Sequence, residues 1–451
     1  MPKLSTFQIT LLAVFGSLGV AGILIFALIT AGGTSNTIGP IVIWGTLDST
    51  AINRALRDAA DTDNRFSQVT YVKMDPSEYD ANLKTALASG RGPDLFLMED
   101  DHAYRDASYT LHVPFEQFPQ SQFESTFLDA ARPFVDKFGV VALPVLVDPL
   151  VLFWNKDSLA SAGIAAPPQY WDQVPGMVEK LVKKTDEGTI GKAGIALGNY
   201  DNIGAAKDIL ATLILQAGGS ITGPDAENVL REQIASQGGT AKAVTALNFY
   251  TEFADPSQPD YSWSRAFQDA QAAFSAGDVA MYVGHASEFA SINQTNPNLN
   301  FAMASLPQIR TAEKAVDTSR VYALAISRTA QNGRGALTIA LLMAGPSFAQ
   351  PVTKSLGMAS ALRRLVQPSA TQSAPTDETS AALQTLVSNA PKTTDTLLDY
   401  EANISKPWID PDPDKTSQLF RDMIENTVSG QLKSIDAVQR ADKQLGTILN
   451  P

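Results

Sequence analysis

Acidic side chains follow strand-like runs at two places in the first quarter of the chain. Glu99 and Asp101 come directly after the apolar run Leu95–Met98, and Asp48 comes shortly after the run Ile41–Trp44. In sheets built from parallel strands and helices, ligands bind beyond the carboxyl ends of the strands. Carboxylates there accept hydrogen bonds from ligand hydroxyl groups, whereas acidic runs elsewhere on a surface are usually only solvated. The pattern therefore predicts a binding site for a polar solute.

A third acid, Asp148, interrupts an apolar run from Val140 to Trp154 that is typical of extended strand. Pro144 and Pro149 cannot donate a hydrogen bond to a neighbouring strand, so we expect breaks at strand edges or between two short strands. An ionised carboxylate is costly to bury without partners. Asp148 therefore either caps a neighbouring backbone or faces a solvated cleft.

Two later strand-like runs, Ala193–Leu197 and Val279–Val283, are also followed by polar residues. These residues are Asn199, Tyr200, Asp201, Gly284, His285 and Ser287. Those of the first group offer hydrogen-bond donors, acceptors and one aromatic ring, the mixture that a polyol site requires. The alternative for that group is a simple turn, because Asn and Asp favour turns.

Tryptophan rings add a second kind of contact. Trp44, at the end of the first strand, either stacks on a ligand ring or covers the edge of the sheet, and Trp263 or Trp408 is an alternative source of a ring. Asp48 is either the cap of the following helix or a ligand contact. The two roles are compatible, because the free amides at a helix start attract polar ligand groups.

Composition excludes several other chemistries. The 451 residues contain no cysteine and three histidines, which excludes disulfides, thiolate metal sites and a cysteine nucleophile and argues against a zinc site. The formal net charge of −13 argues against nucleic acid as a partner. No nucleophile elbow or phosphate-binding loop occurs, so we expect neither cofactor nor enzyme activity. A carboxylate pair such as Glu99 with Asp148, cleaving a glycosidic bond, is the catalytic alternative.

The elements that must position these residues alternate between strands and helices. We expect a helix from Asp48 through Ala60, a strand over Val69–Val72 and a helix over Glu78–Ala88. Such alternation with short connections predicts a parallel α/β sheet. The length of 451 residues exceeds one ordinary hydrophobic core and predicts two domains. Residues 367–381, rich in Ser, Thr, Ala and Pro, are expected to form a surface loop.

The first 40 residues predict a membrane anchor and a linker. Residues 9–31 are uncharged and almost wholly apolar, and as a helix they would extend about 34 Å, enough to span a bilayer. Lys3 precedes them and no further Lys or Arg occurs before Arg54, which predicts a cytoplasmic tail at 1–8 and an extracellular remainder behind a linker at 32–40. The alternative is a cleaved signal peptide, although secretory cores usually run about 7–15 residues. Both alternatives export the rest of the chain.

Several motifs occur in a characteristic order. Between Val140 and Trp171 the chain carries LP, then Asp148, then WNKD, AGI and PP. The other pieces are Ile41–Trp44, Ala88–Phe96, Ala273–Gly284, Val321–Ser327 and Ser429–Val438. This order resembles the extracellular solute-binding proteins of ABC importers, in the group that includes the maltodextrin-binding proteins. The resemblance covers nearly the whole exported region.

The resemblance implies a two-lobe, type II periplasmic-binding-protein fold in which hinge crossings join the lobes and a ligand lies between them. Lobe 1 would comprise 41–147 and 307–366, and lobe 2 would comprise 148–306 and 382–451. In maltodextrin-binding relatives an aromatic three residues before an acid contacts sugar. The matching positions here are Met98 and Asp101, so the carboxylate is kept and the ring is lost. Asp148 matches a second acid that binds sugar hydroxyls.

The resemblance also implies a function. We expect a membrane-anchored, extracellular substrate-binding component of an ABC importer, with a sugar or oligosaccharide as its solute. The expected partners are this solute, the permease subunits and the membrane, and the chain is expected to be monomeric. Arg320 and Tyr322, near the return crossing, are additional candidate contacts. An anchored sensor or scavenger that lacks a permease is the alternative within the same class.

Overall fold

The computed structural model describes residues 38–187, 189–223, 242–363 and 394–449. The strands are β1 (Ile41–Gly45), β2 (Val69–Lys73), β3 (Leu95–Glu99), β4 (Val135–Asp136), β5 (Gly139–Val140), β6 (Leu143–Asn155), β7 (Lys183–Lys184), β8 (Ile190–Ile195), β9 (Val279–His285), β10 (Phe301–Ala304), β11 (Ser319–Ile326) and β12 (Ala359–Ser360).

The helices are α1 (Ser49–Thr62), α2 (Pro76–Ala88), α3 (Ala103–Asp106), α4 (Gln120–Thr126), α5 (Lys156–Ser161), α6 (Val174–Leu181), α7 (Ala206–Gln216), α8 (Lys242–Glu252), α9 (Ala270–Ala276), α10 (Glu288–Thr295), α11 (Gly333–Met343), α12 (Pro346–Leu356), α13 (Thr394–Ile404), α14 (Pro413–Val428) and α15 (Ser434–Leu449). Many of them begin where the sequence supplies a capping side chain. The capping residues include Asp48, Asp75, Asn155, Asn332 and Asp412, each of which accepts a hydrogen bond from an amide of the first turn.

Most of the strands belong to one mixed sheet with the order β2-β1-β3-β11-β6-β9-β8-β7. β1 is parallel to β2 and β3, and β8 is parallel to β9, whereas β6 and β11 run antiparallel to their neighbours. The predicted α/β class is therefore confirmed. The predicted parallel pairing of the first three strands is also confirmed. β6 and β11 add antiparallel pairs to the sheet, because the chain returns directly through it along β11.

Strand β6 joins the two halves of this sheet. It pairs with β11 as far as Pro149, opposite Ser319, and with β9 from Leu150, opposite His285. The expected breaks at the prolines do not occur, and β6 is one strand of 13 residues. Pro149 lies where β6 changes partner and Pro144 lies beside a register shift in the ladder, so neither missing amide interrupts regular pairing.

Helix α13 packs with the first half of the sheet. It lies against β6 and β12 and buries Leu397, Leu398 and Ala402. The chain then crosses at 405–412 to α14 and α15, which pack against each other and against α8 of the second half. The expected assignment of all of 382–451 to one lobe therefore does not describe α13. A single amphipathic helix carries no sequence signal for which of two cores it covers.

No single helix of the described residues is long and apolar enough to cross a bilayer. The consecutive helices α11 and α12 reach that length only together, with a bend of 64° between them. The predicted tail at 1–8, anchor at 9–31 and loop at 367–381 lie outside the described residues.

Candidate functional site

A row of polar side chains crosses four adjacent strands of the sheet. Glu99 ends β3, opposite Tyr322 of β11, while Arg320 of β11 is opposite Asp148 of β6, and His285 ends β9. We call Glu99, Arg320, Asp148 and His285 the polar row. Because β3 and β9 both end here, the row lies at the carboxyl ends of strands from both halves of the sheet.

Asp208, in the first turn of α7, connects the polar row across the two halves. Its Oδ2 lies 3.1 Å from Nε2 of His285 and 3.8 Å from Nη2 of Arg320. Nε of Arg320 lies 3.4 Å from Oε2 of Glu99. The guanidinium therefore stands between a carboxylate of the first half and a carboxylate of the second half.

His285 is enclosed by hydrogen-bond acceptors. Its Nδ1 lies 3.1 Å from the main-chain oxygen of Asp148, and its Nε2 faces the carboxylate of Asp208. Burial and the charge of Arg320 oppose protonation, but the Asp208 hydrogen bond and the two carboxylate charges outweigh them and raise the pKa of His285. Both ring nitrogens thus face acceptors, and a protonated ring can donate to both.

Asp101 forms a second group of charges beside the row. Nδ1 of His102 lies 2.6 Å from its Oδ1. Burial opposes the charge of Asp101, but the His102 hydrogen bond and the charges of Lys207 and Arg320 lower its pKa below the ordinary value. Burial opposes the charge of His102 as well, yet its bond to Asp101 raises its pKa to about 9. Asp101 is thus an ionised acceptor, as a contact to ligand hydroxyl groups requires.

Arg105 makes another connection between the halves. Its Nη1 lies 3.0 Å from Asp414, in the first turn of α14, and its Nη2 lies 2.8 Å from Asp80 in α2. Tyr104, the preceding residue of α3, is 50% exposed. It provides an exposed aromatic ring next to the acid cluster, where Met98 is buried and offers none.

Of the two roles that the sequence allowed for Asp148, the structure shows the first, the capping of a neighbouring backbone. The residue is buried, and its carboxylate accepts hydrogen bonds from the amide of Ser287 at 3.0 Å and the hydroxyl of Ser287 at 2.7 Å. Asp148 therefore holds the chain at the start of α10. Gly284 is also explained by packing, because a Cβ there would lie 2.6 Å from the ring of Tyr282 and 2.8 Å from the carboxylate of Glu288.

The polar residues of the turn after β8 have different roles. Asp201 forms an ion pair with Arg421 at 2.8 Å on the surface. Burial raises the pKa of Tyr200, and the charges of Lys207 and Asp208 act on the same hydroxyl, which therefore lies near the site. Asn199 is buried, and its side-chain nitrogen has no hydrogen-bond partner among the described residues. Tyr200 and Asn199 remain candidates for ligand contact, whereas Asp201 is engaged elsewhere.

The tryptophans belong mainly to the core. Trp263 is completely buried, its indole nitrogen donates to Asn202 at 3.0 Å, and its ring stacks on Phe267 with 4.5 Å between centroids. The expectation that Trp263 supplies a ring to the ligand is therefore not met, because an apolar ring at a helix connection is drawn into the nearest core. Trp408 packs on Phe420, and Trp44 is partly buried against the core.

Asp48 accepts a hydrogen bond of 2.9 Å from the amide of Ala51 and caps α1. We expect Asp48→Ala to lower the free energy of unfolding by about 1 kcal/mol, the usual cost of losing a helix cap. Asp48→Asn should keep most of the native stability, because asparagine also caps helices. Thermal unfolding of both variants measures this difference. If Asp48→Ala instead weakened solute binding without lowering the melting temperature, Asp48 would be a ligand contact and not a cap.

Sequence reasoning missed several charged residues of the site. These are His102, Arg105, Lys207, Asp208, Asp410 and Asp414. Lys207 donates to the buried Asp410 at 2.5 Å, so one end of the run Asp410–Asp414 belongs to the site. A signal was present, because Lys207 and Asp208 stand at the start of a helix that follows a parallel strand, where ligands bind.

A pair of buried carboxyl groups lies where the segment before β11 meets the end of α13. Asp317, on the segment leading into β11, and Glu401, near the end of α13, are both completely buried and adjacent to each other. No Lys, Arg or His of the described residues forms an ion pair with either one. Burial raises the pKa of Glu401 to about 8, against the opposing effects of Ser305, Asp317 and the Leu306 amide. Burial and the neighbouring carboxylate also raise the pKa of Asp317, so the pair keeps a proton at neutral pH.

Comparisons with known proteins agree with this geometry. The profile of the family described as bacterial extracellular solute-binding protein matches residues 54–345. A Brucella abortus protein described as a binding protein is 24% identical over 228 residues, which cover 50% of this chain and 52% of that protein. The match therefore spans about half of the relative's length.

Two solved structures share the fold over nearly their whole length. The cyclic α-maltosyl-1,6-maltose binding protein of Arthrobacter globiformis superposes with a TM-score of 0.70 at 17% identity, covering 91% of this chain and 99% of that one. An ABC transporter solute-binding protein of Thermotoga lettingae, bound to α-D-tagatose, superposes with a TM-score of 0.66 at 18% identity, covering 92% and 100%. Because the family profile also covers well over half of the sequence, this chain belongs to the bacterial extracellular solute-binding proteins.

Proposed function

We propose that this chain binds a carbohydrate between two lobes and presents it to the permease of an ABC importer. The observation that carries the proposal is the polar row, which Asp208 connects across both halves of the sheet. Ionised Asp101 would accept hydrogen bonds from sugar hydroxyl groups, and Arg320 would donate to them. The carboxyl group of Glu99, whose pKa burial raises, lies beside Arg320 and offers a further polar contact. The two superposed relatives, a cyclic α-maltosyl-1,6-maltose binding protein and a solute-binding protein bound to α-D-tagatose, support a sugar as the solute.

The lobes would follow the pairing of the strands. Lobe 1 would contain β1, β2, β3, β11, β12 and α13, and lobe 2 would contain β8, β9, β10, α14 and α15. The crossings would then be β6, 305–318 and 405–412. A solute that contacts both lobes favours their closed arrangement by its difference in affinity for the open and closed states. The contacts Arg320–Asp208 and Arg105–Asp414 already join the two sides.

The proposed contacts are Glu99, Asp101, Tyr104, Asn199, Tyr200, Lys207, His285, Ser287 and Arg320. Asp148 and Gly284 would support them through the start of α10. Residues 9–31 would anchor the chain in the cell membrane with the binding lobes outside, which raises its local concentration at the transporter. Co-purification with permease subunits would separate this function from that of a sensor or scavenger.

We expect sugars to raise the melting temperature of the native chain, by an amount that grows with the ratio of sugar concentration to dissociation constant. The test is a thermal-shift screen with cyclic and linear malto-oligosaccharides, tagatose, peptides and phosphorylated metabolites. Asp101→Ala should abolish the shift because it removes an ionised acceptor. Asp172→Ala is the matched control, since Asp172 is an exposed acid paired with Arg310 and distant in sequence from the site. A shift that persists in Asp101→Ala, or that peptides alone produce, would contradict the proposal.

A further inference from the structure

The first half of the sheet has a second polar surface at the end opposite the polar row. β3 begins and β11 ends there, and the neighbouring turns are tied together by main-chain hydrogen bonds. Leu111 donates to Ile326 at 2.8 Å, Arg328 donates to Tyr109 at 2.9 Å, and Val113 exchanges two hydrogen bonds with Val140. We call the surface formed by residues 90–94, 109–113, 136–140 and 327–334 the distal face.

The distal face carries four exposed cations without acidic partners. Arg91, Lys137, Arg328 and Arg334 are exposed, and none of them forms an ion pair with another described residue. The two acids on these turns are engaged in other bonds. Asp136 accepts from the amides of Phe138 and Gly139 and bonds to His112 at 2.9 Å, and Asp94 accepts from the amides of Val42 and Asn332. The surface is therefore locally cationic on a chain whose formal net charge is −13.

Two large apolar side chains are exposed on the same face. Phe138, at the tip of the β4–β5 hairpin, is 68% exposed, and Leu111 is 42% exposed. The hairpin holds Phe138 outward, because Asp136 binds both amides of the turn and Gly139 takes a φ of 147° that favours glycine. The ammonium of Lys137 lies 5.1 Å from the centre of the Phe138 ring. An exposed aromatic ring beside a cation, on a face that carries further cations, is the composition of surfaces that lie in the membrane interface.

The position of the distal face in the chain indicates which surface it meets. Ile38, the first described residue, accepts a hydrogen bond of 2.7 Å from the side chain of Asn332 on this face. The predicted anchor ends at residue 31, and seven peptide steps extend at most about 25 Å. An anchor that ends there therefore keeps the distal face within about one protein radius of the bilayer.

We propose that the distal face binds the anionic phospholipid headgroups of the membrane, with Phe138 in the interfacial region. This proposal rests on the proposed anchor for its location, whereas the cations and Phe138 support it independently. Anionic headgroups would complement Arg91, Lys137, Arg328 and Arg334. Because the polar row lies at the opposite end of the same strands, such binding would leave the site open to solute in the medium. The distal face would have to leave the bilayer before the site could face the permease.

The test uses the full chain in vesicles. Because the chain has no cysteine, Phe138→Cys provides a unique position for an apolar, environment-sensitive fluorophore, and Phe289→Cys, at an exposed position of α10, is the matched control. We expect spin-labelled lipid to quench the fluorophore at 138 in vesicles of phosphatidylcholine with phosphatidylglycerol, and much less in phosphatidylcholine alone. The fluorophore at 289 should be quenched weakly in both.

Charge removal tests the same contact from the protein side. Arg328→Gln with Arg334→Gln should weaken the quenching at 138 by about tenfold or more, since each cation near an anionic surface adds to binding, and should leave the melting temperature unchanged. Equal quenching at 138 and 289, or quenching independent of both phosphatidylglycerol and the arginines, would overturn the proposal. A change at 138 that depends on protein concentration and not on lipid would instead indicate a second copy of the chain and would also overturn it.

Two further readouts keep the proposals separate. Retention of the chain in vesicles after an alkaline wash reports the anchor alone. A sugar titration of the same sample reports the proposed function alone. Quenching at 138 with no response to sugars would refute the carbohydrate proposal and leave the membrane contact intact.

Discussion

Arg320→Met is expected to weaken solute binding by about 10- to 150-fold. Arg320 stands between Glu99 of the first half and Asp208 of the second, at 3.4 and 3.8 Å, so neither contact fully occupies its donors. Hydrogen bonds to charged groups contribute about 1.5–3 kcal/mol each, which corresponds to that range of affinity. Methionine keeps the length of the side chain and removes every donor. Isothermal titration with the best sugar of the thermal-shift screen measures the loss.

Arg320→Lys refines this test. Lysine keeps the charge but not the planar fork of donors, so we expect an intermediate affinity if the guanidinium binds two oxygens of the solute. Arg310→Met is the control, because Arg310 is exposed and forms its two hydrogen bonds with Asp172. An unchanged affinity in Arg320→Met, with the melting temperature lowered, would mean that Arg320 only balances the charges of its neighbours.

Glu401→Gln is expected to change the pH dependence of stability. The pKa of Glu401 is raised to about 8 from the ordinary 4.5 because burial disfavours its charge. Its contribution to stability is therefore fully present below pH 4.5 and is lost as the pH rises towards about 8, because the unfolded chain releases its proton first. The variant should consequently be more stable than the native chain at pH 9, by on the order of a few kcal/mol, and close to it at pH 5.

Denaturant unfolding of the two proteins at pH 5, 7 and 9 measures this difference. Glutamine retains the shape of the side chain and donates to Asp317, so the partner carboxylate is not left without a donor. The control is Glu124→Gln, at an exposed glutamate of α4, which should leave the pH dependence as it is in the native chain. Parallel pH profiles for the native chain and Glu401→Gln would show that the buried pair is not protonated.

Local pattern was sufficient for the elements and for several ends of strands. The strands β1, β3 and β9 and the helices α1 and α2 lie where periodicity and capping residues predicted them. Glu99, Asp101 and His285 lie together at the carboxyl ends of strands, as expected. Whether each of them contacts a solute stays a prediction.

Pairs between residues distant in the chain could not be foreseen. Lys207 with Asp410, Arg105 with Asp414 and Asp317 with Glu401 are each separated by more than 80 residues. A charged residue has the same local pattern whether its partner is solvent or a distant side chain, so one sequence does not reveal such pairs. The same limit explains Trp263, whose burial depends on the second half of the fold closing around it.

By itself, the sequence determined the alternation of strands and helices, the absence of thiol chemistry, the acidic net charge and the order of family motifs. These depend only on composition and on the order of residues along the chain. Only the tertiary structure decided that Asp148 binds Ser287, that Arg320 stands between Glu99 and Asp208, and that four exposed cations and Phe138 lie on the distal face. The physical reason is that charge pairing and burial depend on distances in space, which arise when both halves of the sheet assemble on β6.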